Sequence, residues 1–341
     1  MVTLNYRVGA LGFADLVAHG RDANAGLSDV VAALEWVGQY VADLGGDPTN
    51  VTLAGHSAGA FLVGALAAVP RSRGLYRRVA MLSGGPWRVV SSSRAQEMAS
   101  DFLERLALRD DEDLDQVDVS RILKAQDELG SDTLVDRFGP DRRVLGVVQE
   151  MDGQTLLAGH PGDAVAGGAW KDVPLLLTWT ADEFLGFTDG ADERAQASIE
   201  PLLASLGASP AHAATLMRDY AEDARGVLSA NDRLLSDWMY VLPAARTAIA
   251  QAQAGGAAWL GEIHRGAVTP HGADVTDLFP QAEDATSVVC DMLLTFANSG
   301  NPGWSAVKPT QPSGVLISDG EVSGVVGLAG VLERWQGIKR T

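Results

Sequence analysis

Short apolar runs of strand length alternate along this chain with longer stretches of helical periodicity. Val51-Thr52-Leu53, Arg78-Val79-Ala80-Met81-Leu82-Ser83, Val173 to Trp179 and Ala257 to Ile263 lack the in–out alternation of a half-exposed sheet. Runs of that kind predict strands of a mostly parallel sheet buried under helices on both faces. Val2-Thr3-Leu4-Asn5-Tyr6-Arg7 is expected to be a further strand. A helix is expected from about Ser28 to Leu44. Val30, Val31, Leu34, Val37 and Val41 recur there at helical spacing, and Gly45-Gly46 close it. A small-residue helix is expected from about Ala58 to Val69, and a last long one from Ala285 to about Ala297. Residues 91–170 and 190–255 are mostly helical in pattern and are expected to be insertions forming a lid or substrate gorge. The expectation is one α/β domain over residues 1–341.

Between the strand at Val51-Thr52-Leu53 and the helix from Ala58 stands Gly55-His56-Ser57-Ala58-Gly59. A Gly-x-Ser-x-Gly run in that context is the signature of a nucleophile elbow, a sharp strand-to-helix turn that lifts a serine hydroxyl above the sheet. The strained turn explains the glycines, since a Cβ at Gly55 or Gly59 is expected to strike the neighbouring strand or helix. Ser57 then meets the free N–H groups and positive dipole end of a helix, which favour a developing oxyanion.

Charge narrows the partners. The net charge of −18 and pI near 4.6 repel phosphates, so neither nucleic acid nor an anionic membrane is an expected partner. The single cysteine, Cys290, allows no intramolecular disulfide and is expected on an apolar helix face. With no signal segment and no apolar run long enough to span a bilayer, a cytoplasmic location is the expectation. Nothing in the chain calls for a metal or an organic cofactor.

A serine hydroxyl needs a base, and the base a carboxylate to fix its tautomer. In parallel sheets such groups gather at the carboxyl ends of strands. Of the six histidines, His19, His160 and His212 lie in a loop or in the helical stretches. His56 is beside the serine but is expected to point away from its hydroxyl. His264 and His271 both follow the strand ending at Ile263, and the loop Pro270-His271-Gly272-Ala273-Asp274 makes His271 the preferred base. For the acid, Asp182 and Glu183 follow the strand ending at Trp179, and either one suits the role. Asp274 is a third candidate, although it breaks the usual order of serine, acid, histidine.

The same residues, taken together, resemble the type B carboxylesterases, the group that includes bacterial para-nitrobenzyl esterases and the cholinesterases. Val2 to Phe13, Asn24 to Val37, Gly45-Gly46-Asp47-Pro48-Thr49-Asn50 leading to the elbow, Leu82-Ser83-Gly84, Asp182-Glu183, His271 to Asp274 and Phe296 to Pro302 carry the likeness in order. The resemblance implies an α/β-hydrolase fold and a serine carboxylic-ester hydrolase working through an acyl-enzyme on small-molecule esters. It implies Ser57 as nucleophile, Glu183 as acid and His271 as base, with the N–H of Ala58 in the oxyanion hole. Only the resemblance selects Glu183 over Asp182.

Three departures bear on that expectation. His56 stands where the family has glutamate, and Phe184 stands where it has glycine, which predicts a displaced acid loop. The family also places a His-Gly-Gly-Gly-like loop and further strands ahead of the segment matched by Val2–Arg7, and these residues contain no such motif. A chain lacking those first strands is therefore expected, and each missing oxyanion donor is expected to cost about 3 kcal/mol of transition-state stabilisation. The rival expectation is a catalytically inactive hydrolase-fold binding protein, or an inactive fragment without the oxyanion loop.

Overall fold

A computed structural model describes residues 1–108, 113–129, 156–185, 199–223, 228–279, 287–318 and 320–338. Its centre is a sheet of β1 (Thr52–His56), β2 (Arg78–Leu82), β3 (Leu175–Thr180), β4 (Ala258–His264), β5 (Ser313–Ser318) and β6 (Glu321–Gly327), paired in that order. β1 to β5 run parallel and β6 returns antiparallel to β5. The apolar runs form these strands because side chains of alternate residues enter different cores. Val79, Met81, Leu175, Leu177, Ala258 and Leu260 face one cluster, with Leu27, Val63, Val165 and Ala245 from the helices. Ala80, Leu82, Leu176, Trp259 and Ile263 face the other, closed by Val289, Met292 and Phe296. In β2 and β3 both faces are buried, so these strands carry no polar alternation. This is the mostly parallel sheet that the sequence pattern predicts, and it fits the α/β-hydrolase fold that the resemblance implies.

The helices that bear on the site follow from local chemistry. α1 (Ala25–Tyr40) buries Leu27, Val30, Val31 and Leu34, and the 3-10 turn after it ends at Gly45 with φ 82°. α2 (Ala58–Ala65) starts directly from Ser57. α3 (Ala230–Ser236) is capped by Ser229 Oγ accepting from Asp232 N–H, and runs through a π-helical segment, Asp237–Val241, into α4 (Leu242–Gln253). α5 (Val288–Ser299) is capped by Ser287 accepting from Cys290 N–H, and Cys290 is half-buried with a free thiol. Ala285, where the last helix was expected to begin, lies outside the described residues. Among the described residues no helix is long and apolar enough to cross a membrane.

Two expectations about strands need correction. Val2–Arg7 is not a strand. Residues 1–5 are exposed, and Arg7 is held by its own N–H and guanidinium on Asp29, at 2.9 and 2.6 Å. An extended run becomes a strand only when a neighbour takes its backbone groups, and among the described residues none pairs with it. The outer edge of β1 is likewise without a described partner strand. Conversely, the β5–β6 hairpin has no counterpart in the sequence reading. β6 is almost wholly exposed, and a Gly- and Ser-containing run without a buried face reads as loop.

Candidate active site

Ser57 directly follows β1 in a strained conformation, φ 54° and ψ −119°. Its N–H donates to Leu82 O at 2.9 Å, so the elbow is stitched to β2. Gly55 is required: a Cβ there would lie 2.4 Å from Gly59 O. The expectation for Gly59 was different and is corrected, because a Cβ at that position meets nothing within 4 Å. Ala58 opens α2, where the first-turn N–H groups have no intrahelical acceptor. Phe61 N–H is the first to bond back, to Ser57 O at 3.1 Å.

The other site residues arrive on two loops that the sheet register brings together. Asp182 follows β3 and its N–H donates to Thr269 O at 3.0 Å, while its Oδ2 accepts from Thr269 N–H at 2.7 Å. A parallel bridge between Asp182 and Pro270 continues the sheet by one step. His271 is the next residue. Gly272, at φ 81°, then turns the chain so that Ala273 N–H reaches Pro270 O. Asp182 therefore anchors the histidine loop, a role that sequence reasoning did not assign to it; the signal is visible only once β3 and β4 are paired.

Glu183 is fully buried. Its Oε1 accepts from Thr180 N–H at 2.9 Å, and its Oε2 is hydrogen-bonded to His271 Nδ1. On the far side of the ring, His271 Nε2 lies 2.8 Å from Ser57 Oγ. A carboxylate at Nδ1 holds the proton on that nitrogen and leaves the Nε2 lone pair toward the hydroxyl. Phe184 does not displace the acid loop as expected. It is itself buried, with its N–H on Ser236 Oγ at 3.2 Å, which fixes the residue after Glu183 to α3.

The remaining candidates go elsewhere. His264 Nε2 is 2.7 Å from Glu262 Oε1, His160 Nδ1 accepts from Gly162 N–H, and His212 Nε2 is 3.0 Å from Arg334 O. Asp274 does not meet His271 Nδ1. It faces His56, whose ring packs at 4.9 Å from the His271 ring. Burial and the Glu183 charge push the Asp274 carboxyl up to about 6. Burial, then the neighbouring His271, lowers the His56 imidazole.

Aromatic rings pack around the site. Tyr240, from the π-helical segment, stands 5.2 Å from His271, 5.9 Å from Phe184 and 6.3 Å from Phe61. Burial, reinforced by Glu183, raises its hydroxyl. Trp87 is core: its Nε1 donates to Thr247 Oγ1 at 2.8 Å. Trp238 is likewise buried in the main cluster.

A model of the carboxylesterase family matches residues 1–312. The chain belongs to that family. Among its relatives, the para-nitrobenzyl esterase of Bacillus subtilis is 32% identical over 258 residues, covering 74% of this chain and 50% of the relative. The fumonisin B1 esterase of Sphingopyxis macrogoltabida is 34% identical over 203 residues, 55% of this chain and 34% of its own. The chain thus spans about half the length, or less, of these curated relatives. A para-nitrobenzyl esterase structure superposes with a TM-score of 0.80 at 26% identity, covering 99% of this chain and 73% of that one. A carboxylesterase of Geobacillus stearothermophilus gives 0.79 at 26%, over 97% and 74%. These members of the family share the α/β-hydrolase fold described above.

Proposed function

We propose that the chain carries the catalytic residues of a serine carboxylic-ester hydrolase. The observation that supports this reading best is the 2.8 Å separation of His271 Nε2 and Ser57 Oγ, with the buried Glu183 on the opposite ring nitrogen. His271 takes the hydroxyl proton as Ser57 Oγ bonds to the ester carbonyl carbon. The tetrahedral oxyanion is held by the Ala58 N–H and the positive end of α2. Collapse expels the alcohol, which leaves with the proton from His271, and an acyl-serine remains. Water, deprotonated by the same imidazole, then releases the acid. Glu183 keeps the ring oriented and stabilises its cationic form.

The substrate class is a small-molecule carboxylic ester. Relatives are named for para-nitrobenzyl, fumonisin B1 and cocaine esters, and the aromatic set Phe61, Phe184 and Tyr240 suits an apolar group beside the carbonyl. The strongly negative chain disfavours polyanions.

A fluorophosphonate probe on the purified chain tests the reading. Covalent labelling that vanishes in Ser57→Ala, while the variant keeps the wild-type circular dichroism, is expected. A folded wild-type chain that takes no label would instead support the inactive binding module.

A further inference from the structure

Behind the serine and histidine lies a second histidine–acid pair that the mechanism above does not use. Asp274 is completely buried, and neither of its carboxylate oxygens has a hydrogen-bond partner. Its nearest opposite group is His56 Nε2, 3.7 Å from Oδ1, an atom that is also buried and unpartnered. The approach is fixed by the fold. His56 is the last residue of β1, directly before Ser57, and the turn from His271 to Asp274 wraps its ring. A Cβ on Gly272 would stand only 3.6 Å from His56 Cε1. A bare carboxylate in such a place is far more costly than one that shares a proton.

We propose that His56 and Asp274 hold one proton between them and act as positioning residues for His271. The proton passes between His56 Nε2 and Asp274 Oδ1 when the two close from 3.7 Å to hydrogen-bond distance, so that imidazolium with carboxylate interconverts with imidazole and carboxylic acid. The inference rests on the reading of His271 as the base. When His271 takes the serine proton, a second cation on a ring 4.9 Å away opposes it; moving the shared proton to Asp274 leaves a neutral imidazole there instead. The groups that face the pair are Glu183 and His271 from the two catalytic loops and Asp277 from the turn beyond. Asp277 in turn lies 3.4 Å from Arg265, and Tyr240 stands against His271. A glutamate at position 56, the residue the family resemblance leads one to expect, offers no nitrogen for this exchange.

The test is an NMR titration of the full chain from about pH 4 to 9. It follows His56 Cε1–H, assigned by its loss in His56→Gln, together with Asp274 Cγ. One common midpoint for the two resonances is expected. In Asp274→Asn the His56 midpoint is expected to fall by about one unit or more. Separate midpoints in the unaltered chain, or a His56 midpoint that stays put in Asp274→Asn, overturn the proposal. If Asp274→Asn does not fold, the two wild-type resonances decide by themselves. The readout needs no substrate, so an absence of fluorophosphonate labelling counts against the hydrolase reading without touching this one.

Discussion

Two histidines leave the same strand end and meet very different acids. His264 sits at the end of β4 with its Nε2 on Glu262, and the two side chains are 39% and 25% exposed. His271, a few residues on, meets an acid that is wholly buried and already fixed by a backbone N–H. The first ring spends its outward nitrogen on its own acid, in solvent. The second uses the inward nitrogen for the acid and so presents the other to a hydroxyl. A histidine–carboxylate contact is therefore not itself a catalytic feature. Burial of the acid and the partner of the second nitrogen make the difference.

The sharpest break of that contrast is Glu183→Gln. It preserves shape but removes the charge that holds the Nδ1 proton, and kcat on a para-nitrophenyl ester is expected to fall about 10,000-fold with KM little changed. The next largest effect is expected from Asp182→Ala, although this carboxylate touches neither Ser57 nor His271. It frees the buried Thr269 N–H and unpins the histidine loop, so kcat should drop by about 10- to 100-fold. Thermal melting should show a loss of about 1–3 kcal/mol. A loss of stability with undiminished kcat would mean that the loop holds His271 without its anchor.

These residues differ in how readable they are from sequence. Ser57 is encoded locally: strand, Gly55, elbow and helix are contiguous, and strain at one residue needs only its neighbours. The histidine lies 214 residues away from the serine, so no spacing rule ties them, and only the order of strand ends restricted the choice. Between Asp182 and Glu183 nothing local decides. Their distinct jobs arise from the parallel bridge to Pro270, a contact that exists only after β3 and β4 pair. His56 was expected to face away from the serine hydroxyl, but that expectation did not extend to what it would face. The N-terminal run misled for the opposite reason: Val2 to Arg7 has strand chemistry but no strand beside it.

Asp274 sharpens the comparison through stability rather than rate. Its folded-state carboxyl is raised to about 6 from 3.8, so between those values the folded chain binds more protons than the unfolded one. Stability must then fall as pH rises through that window. Asp274→Asn removes the burden. It is expected to melt higher than the parent at pH 7, by up to about 3 kcal/mol, with the gain disappearing below about pH 4. Parallel melting curves for the two proteins across that range would mean that folding does not raise the carboxyl.

His264→Gln is the smallest and most discriminating change. The pair it breaks is only partly buried, and such contacts contribute about 1 kcal/mol. Glu262 keeps the Trp179 Nε1–H at 3.0 Å, so the acid is not stranded. Less than about a twofold change in kcat/KM is expected, because no atom of His264 takes part in orienting His271. The same substitution at His271 removes the proposed base altogether. If the two glutamine variants were to fall together in kcat, burial and the second nitrogen would not be what separates these histidines. The loop after β4 would then have to be treated as one catalytic unit, with His264 and Glu262 as members of it.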